Sequence, residues 1–168
     1  IYAEARWAPQ QHLTGGLSAA AATEAVQAGL VDGMESASRS GTTIIARQIL
    51  CLMRHLDVPE DVVDLAVNHA PGVVGVDIAG PEDGFPLTPF TNALTRIQAA
   101  GIHLTVHAGE AAGPESVLDA LDHGAERLGH GVRIIEDRDE SEWGPIAQRV
   151  LSNQVPLEVC PTSNTQTG

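Results

Sequence analysis

His103 to Val117 read HLTVHAGEAAGPESV, and the order of signals in that stretch decides the architecture. The apolar run from Ile102 to His107 reads as a buried strand. Gly109 permits a tight turn, and Pro114 opens a helix that closes at Gly124. A strand that hands over to a helix within a few residues is the repeating unit of a parallel α/β sheet.

The same unit recurs outward in both directions. Further apolar runs rich in β-branched residues lie at Ile1 to Trp7, Thr42 to Leu50 (a strand able to run on into a helical turn), Val73 to Ala79, Glu126 to Leu128 and Val155 to Cys160. Helical patterns separate them. Ser18 caps a segment with Ala22, Val26, Leu30 and Met34 on one face. Pro59 stands at a first helical position before Val62, Leu65 and Ala66, and Pro71 ends that segment. Thr88 and Pro89 open a helix with Phe90, Leu94 and Ile97 on one side and Gly101 as its stop. Pro145 opens a short last one.

Short strands alternating with helices leave two choices, an open doubly wound sheet or a (β/α)8 barrel. No GxGxxG follows the first strand, which weakens the dinucleotide-binding form of the open sheet. The polar residues of interest all fall at C-terminal strand ends: Gly80, His107 with Glu110, His130, and Ser163 with Asn164. A barrel gathers its chemistry on that rim from several strands. The expectation is therefore a partial (β/α)8 barrel, one incomplete domain over residues 1–168. A complete barrel takes about 250 residues, against 168 and six strand candidates here. The six correspond roughly to strands 2 to 7, without the first and eighth. Both ends are expected to be cut edges, since the chain starts without methionine in mid-strand and stops in a polar loop.

Composition narrows the function classes. A chain of 168 residues, 43% of them hydrophobic, can bury a substantial core. No run approaches the ~18 apolar residues of a membrane-spanning helix, and no basic leader with an apolar stretch opens the chain. Nine basic against 22 acidic residues, a net charge of −13, repel nucleic-acid polymers and anionic membranes alike. Cys51 and Cys160 form no CxxC arrangement. Both read as structural thiols, with a reducing cytoplasm as the default compartment.

Two segments carry chemistry. His107 ends a strand three residues before Glu110, and an imidazole at a barrel mouth suits Zn²⁺. Alone, HxxE is weak, because a strand histidine is more often a hydrogen-bonded core residue. In AERLGHGVRI, however, His130 stands between two glycines just after the next strand. Two successive strands then present a histidine to one rim, and such convergence marks a site. The other histidines (His12, His55, His69, His103 and His123) read as surface or helix-end residues, and Arg47 and Arg54 as ties between elements.

Taken in order, IYAEARWAP, CLMRH, VDIAGPE, HLTVHAGE, ERLGHGVRI and PLEVCPTSNTQTG resemble the adenosine deaminase family of amidohydrolase barrels, over essentially the whole chain. The resemblance implies one Zn²⁺ ion with His107 as a ligand. It implies Glu110 as the acid that protonates purine N1, and His130 as the group that orients the zinc-bound water and takes its proton. Gly80 would present its backbone to the purine. The implied partner is a small purine nucleoside, adenosine or deoxyadenosine, converted to inosine and ammonia in purine salvage. The oligomeric state is not implied.

The chemistry is coherent. Water falls from a pKa of about 15.7 to about 7 on zinc, a gap worth on the order of 12 kcal/mol. Glu110 as a donor must stay protonated, which a hydrogen bond to N1 in a dry pocket favours. His130 beside a cation stays neutral, as a base must.

Departures are equally plain. The family carries an HxH pair on its first strand and paired aspartates at its eighth, and neither is present. With one expected ligand of four, the chain as given is expected neither to hold zinc tightly nor to turn over substrate. Two other readings compete: a relative that deaminates adenine or another 6-aminopurine, and a non-catalytic truncated or degenerate module.

Overall fold

The computed structural model describes residues 1–57 and 61–167. Six strands form one sheet in chain order: β1 (Tyr2–Trp7), β2 (Ile45–Met53), β3 (Val73–Ala79), β4 (His103–Ala108), β5 (Arg127–His130) and β6 (Leu157–Glu158). Every neighbouring pair is parallel. The order never reverses, so the switch point that defines an open doubly wound sheet does not arise. Helices α1 (Ala19–Arg39), α2 (Val62–Asn68), α3 (Thr91–Ala99), α4 (Pro114–Asp122) and α5 (Pro145–Ser152) fill the crossovers, and α6 (Pro161–Thr167) follows β6.

The sheet is strongly curled. Five steps of about 4.8 Å would put β1 and β6 some 24 Å apart in a flat sheet. Yet the Arg6 guanidinium on β1 lies 2.6 Å from the Glu158 carboxylate on β6. Arg127 on β5 likewise reaches Glu4 on β1 at 2.8 Å. Side chains of that length meet only across the hollow of a barrel, here an incomplete one.

Alternation along the strands separates two faces. Leu50, Leu52, Val76, Ile78, Leu104, Val106 and Leu128 are at most 1% exposed. They form one core with Val62, Leu65, Leu94, Ile97, Val117 and Leu121 of the surrounding helices. Each such side chain contributes about 1.5–3 kcal/mol by leaving water, so the stability of the fold lies between sheet and helices. The opposite, concave face carries Arg6, Cys51, Asp77, Thr105, His107 and Arg127. Chemistry and packing thus occupy opposite sides of the same strands.

Local signals set most boundaries. The Ser18 hydroxyl accepts the Ala21 N–H at 3.1 Å and caps α1, whose Ala22 side packs inward while Glu24 and Ala25 face water. Pro114 and Pro145 occupy first turns. Thr88 and Pro89 instead form a single 3-10 turn, and α3 begins at Thr91. Pro59 lies outside the described residues.

Other boundaries also differ from expectation. The strand expected from Val155 to Cys160 is only Leu157–Glu158, because those two residues alone pair with β5. β2 runs on as strand to Met53 rather than turning helical, because its backbone pairs with β3 as far as Ala79. β5 extends to His130 through pairing with β4. Residues 161–167, expected as a polar loop, are helical: Pro161 pre-sets the first turn, and the Asn164 N–H donates to the Cys160 carbonyl at 2.9 Å.

Arg127 ties both edges of the sheet, pairing with Glu4 and with Glu158 at 2.8 Å each. Arg127→Met would leave two carboxylates facing one another across the hollow. It is expected to cost about 1–3 kcal/mol in urea unfolding, since the group is partly exposed. Combination with Glu4→Gln should recover part of that loss, and strict additivity would show that the ion pair does not hold the curl.

Candidate active site

The groups singled out in the sequence converge at the C-terminal ends of β3, β4 and β5. His107 is half-buried on β4, and its Nδ1 sits 2.9 Å from Oδ2 and 3.1 Å from Oδ1 of Asp77 on β3. Asp77 is fully buried and also meets Arg6 Nε at 3.1 Å. Burial alone would push the His107 imidazole down. The hydrogen bond and the charge of Asp77 outweigh it and hold the pKa above its ordinary value. With Nδ1–H committed to Asp77, Nε2 is the nitrogen left for other partners.

His130 ends β5 in the left-handed region, with φ of 67°. Such a conformation costs a non-glycine residue about 1–3 kcal/mol and persists only where the surroundings enforce it. The residue is 8% exposed, and its ring centroid lies 5.2 Å from that of His107. Close approach of the rings depends on Gly129, paired with His107 across the sheet. A Cβ at Gly129 would stand 3.0 Å from the His107 ring atoms Cγ and Nδ1.

Glu110 closes the group. Its Oε2 lies 3.4 Å from His130 Nε2, and its Oε1 accepts the Ser163 hydroxyl at 3.1 Å. The Asn164 amide lies 3.1 Å from His130 Nδ1. The first turns of α6 therefore brace both the acid and the imidazole. Gly80 stands slightly apart, at φ 94°, with His55 and Met53 as its nearest side chains.

Two buried charges hold the turn that carries Glu110. Glu82, 6% exposed, accepts the backbone N–H groups of Gly109 (2.8 Å), Glu110 (2.9 Å) and Ala111 (3.0 Å) and the Ser116 hydroxyl (2.7 Å). Arg54, also 6% exposed, donates to the carbonyls of His107 at 2.6 Å and Phe85 at 2.9 Å. Sequence reading missed Glu82 and Asp77 and saw Arg54 only as a tie. Asp77 did leave a signal, an acid in the middle of the strand VVGVDIA. Glu82 left none, because its donors come from the loop after β4 and the first turn of α4.

The remaining histidines have local partners or open surroundings. His69 and His123 meet the carbonyls of Leu65 and Asp119 within their own helices, and His103 pairs with Glu126. His12 packs edge-on to Trp7, and His55 is exposed beside Gly80. Cys51 and Cys160 are free thiols. Burial, then the charge of Asp77, pushes the Cys51 thiol far up, which makes it a poor nucleophile.

Among the described residues, no three His, Cys, Asp or Glu side chains are grouped to hold a metal ion. His107 alone fits a ligand's part: a buried carboxylate on one nitrogen is the arrangement that orients metal-binding imidazoles. The other donors of a zinc site would have to be contributed by residues beyond these. No described helix is long and apolar enough to cross a membrane.

A curled parallel sheet with its ionisable groups on the C-terminal rim defines an α/β-barrel scaffold. Residues 1–168 match the family described as adenosine deaminase, and the chain belongs to that family. It is 43% identical over 175 residues to the adenosine deaminase of Mycolicibacterium gilvum (strain PYR-GCK), covering all of this chain and 48% of the relative. Among solved structures, the adenine deaminase of Arthrobacter aurescens superposes with a TM-score of 0.80 at 28% identity, over 99% of this chain and 48% of the other. An amidohydrolase from Burkhoderia ambifaria with bound Zn gives 0.78 at 30%, over 97% and 43%. Arabidopsis ADAL complexed with IMP gives 0.80 at 28%, over 99% and 48%. The chain thus spans about half the length of the relatives it matches.

Glu82 predicts a pH effect. Burial raises its pKa, but the hydroxyl of Ser116 and three backbone N–H groups outweigh burial and hold it below the ordinary 4.5. A carboxylate depressed in the folded state adds stability that is complete above about pH 4.5 and fades as pH falls through the lowered value. Glu82→Gln should therefore flatten the acid limb of stability against pH. An unchanged limb in urea titrations from pH 6 to 3 would contradict the sign.

Proposed function

We propose that the complete protein containing this segment hydrolytically deaminates adenosine, and deoxyadenosine, to inosine and ammonia. One observation carries the reading: a carboxyl group and an imidazole face each other at 3.4 Å on the rim, beside a second imidazole braced by a buried carboxylate. Amide-like C–N hydrolysis at a purine needs a proton donor on the ring, a base for the attacking water and an electrophile. Glu110 and His130 are the groups that would supply the first two.

In this reading Glu110 donates a proton to purine N1, which leaves C6 open to attack. His130 holds the attacking water and takes its proton at Nε2. For that the ring must carry its other proton on Nδ1, which an Asn164 amide with its oxygen turned to that nitrogen would secure. The proton then passes from His130 to the departing amino group; ammonia leaves as the C6 carbonyl forms, and the proton of the added hydroxyl returns to Glu110. Gly80 presents its backbone to the far edge of the ring. His107 would hold Zn²⁺ through Nε2, and the metal, when bound, supplies the Lewis acidity that brings a water's pKa from about 15.7 towards 7. Residues 1–168 would form most of a single barrel domain. Two free thiols suit a reducing compartment such as the cytoplasm, and the acidic surface suits a small substrate rather than a polymer.

A second reading is supported by the adenine deaminase likeness: the substrate is adenine or another 6-aminopurine. Identity favours the nucleoside, because the matched adenosine deaminase is 43% identical and the adenine deaminase 28%. Loss of the adenine absorbance with each substrate separates them.

In the complete protein Glu110→Gln should lower turnover by about 10²-fold or more and leave zinc content intact, whereas His107→Ala should lower zinc content. Zinc loss from Glu110→Gln would show that the glutamate is a ligand and not the acid.

A further inference from the structure

Glu82 takes no part in the chemistry just described, yet its carboxylate is engaged by four donors and shut off from solvent. It sits in the loop after β3, while three of those donors belong to the loop after β4. Successive N–H groups aimed at one point form a nest for an anion. Here the anion is built into the chain.

The geometry of that nest constrains Glu110 in particular. The N–H groups of Glu110 and Ala111 both donate to Oε1 of Glu82, at 2.9 and 3.0 Å. Those two groups belong to the peptide planes on either side of the Glu110 Cα. Holding both planes fixes φ and ψ at Glu110, and with them the direction of its Cα–Cβ bond. From the strand side, Arg54 holds the His107 carbonyl at 2.6 Å, which pins the start of the same turn. The side chain of Glu110 is thereby launched towards His130 and Ser163 before any substrate binds.

We propose that Glu82 is a positioning residue for deamination: it sets the backbone of residues 109–111 so that the Glu110 carboxyl meets the purine ring nitrogen in line. The proposal rests on the reading of Glu110 as the proton donor. A misplacement of about 1 Å at a reacting group can lower turnover about 10²-fold without loss of binding, and that separates positioning from mere stabilisation. Glu82→Gln keeps the shape of the side chain but turns one acceptor into a donor that faces backbone N–H groups. Glu82→Asp keeps the charge and shortens the reach.

The test uses the complete protein, with adenosine turnover, zinc content and amide exchange measured on each variant. Glu82→Gln is expected to lower kcat about 10²-fold while KM and zinc content hold. Amides 109–111 should exchange at least about tenfold faster, with those of Leu104 to Val106 unchanged. Glu82→Asp should fall between wild type and Glu82→Gln in kcat at unchanged KM, and it carries the test alone if Glu82→Gln does not fold. Retained kcat in an active protein, or KM, zinc content and β4 exchange all moving together, would overturn the positioning role. An unsubstituted protein inactive on adenosine and adenine would instead overturn the deaminase reading, and the proposal with it.

Discussion

Asp77 places a carboxylate where water does not reach, and three other strands answer to it. Arg6 approaches it from β1, the Cys51 thiol from β2 and His107 from β4, while Asp77 itself belongs to β3. A buried carboxylate is tolerable only when cationic or hydrogen-bonding groups surround it. In a flat sheet Arg6 could not serve Asp77 and Glu158 together, since β6 would lie about 24 Å from β1. Curling brings the guanidinium over the sheet, where it also reaches Glu158 on β6 at 2.6 Å. The same pairing therefore shapes the sheet and aims the His107 ring.

That coupling explains why the two faces of the strands differ so sharply. The convex face repeats Leu, Val and Ile under the helices and supplies the apolar burial. The concave face can then afford Arg6, Asp77 and Arg127, provided each finds its partner across the hollow. Destabilising features gather on the rim accordingly. The left-handed backbone at His130 is held by neighbours on both sides, Gly131 N–H to the Ala108 carbonyl at 3.0 Å and Asn164 to the ring.

Much of this was legible in the sequence, for physical reasons. β3 was read from Val73 to Ala79 as found, because a run of β-branched residues bounded by turn signals has few other readings. Proline at the first turns of α4 and α5 marked their starts without tertiary help. His107, Glu110 and His130 stood out because each lies at or just past a strand end within two residues of a glycine, and the structure brings all three together. What could not be read depends on contacts between distant segments. The length of β2 follows from the register of β3, the brace from Ser163 and Asn164 follows from α6 replacing a loop, and the grip of Glu82 follows from two loops meeting. None of these has a local pattern to betray it.

The order of those distant contacts explains why the rim is well formed in a chain that spans about half the length of its relatives. Each of these side chains is braced by a group from a strand–helix unit one or two places along the sheet. His107 on β4 is set by Asp77 on β3, the turn after β4 by Glu82 after β3, and His130 and Glu110 by Asn164 and Ser163 after β6. Positioning thus passes sideways around the sheet from neighbour to neighbour. The orientation of Glu110, His107 and His130 thus rests on contacts among the described strands and helices. The three side chains therefore converge on a sheet whose first and last described strands are not paired through their backbones.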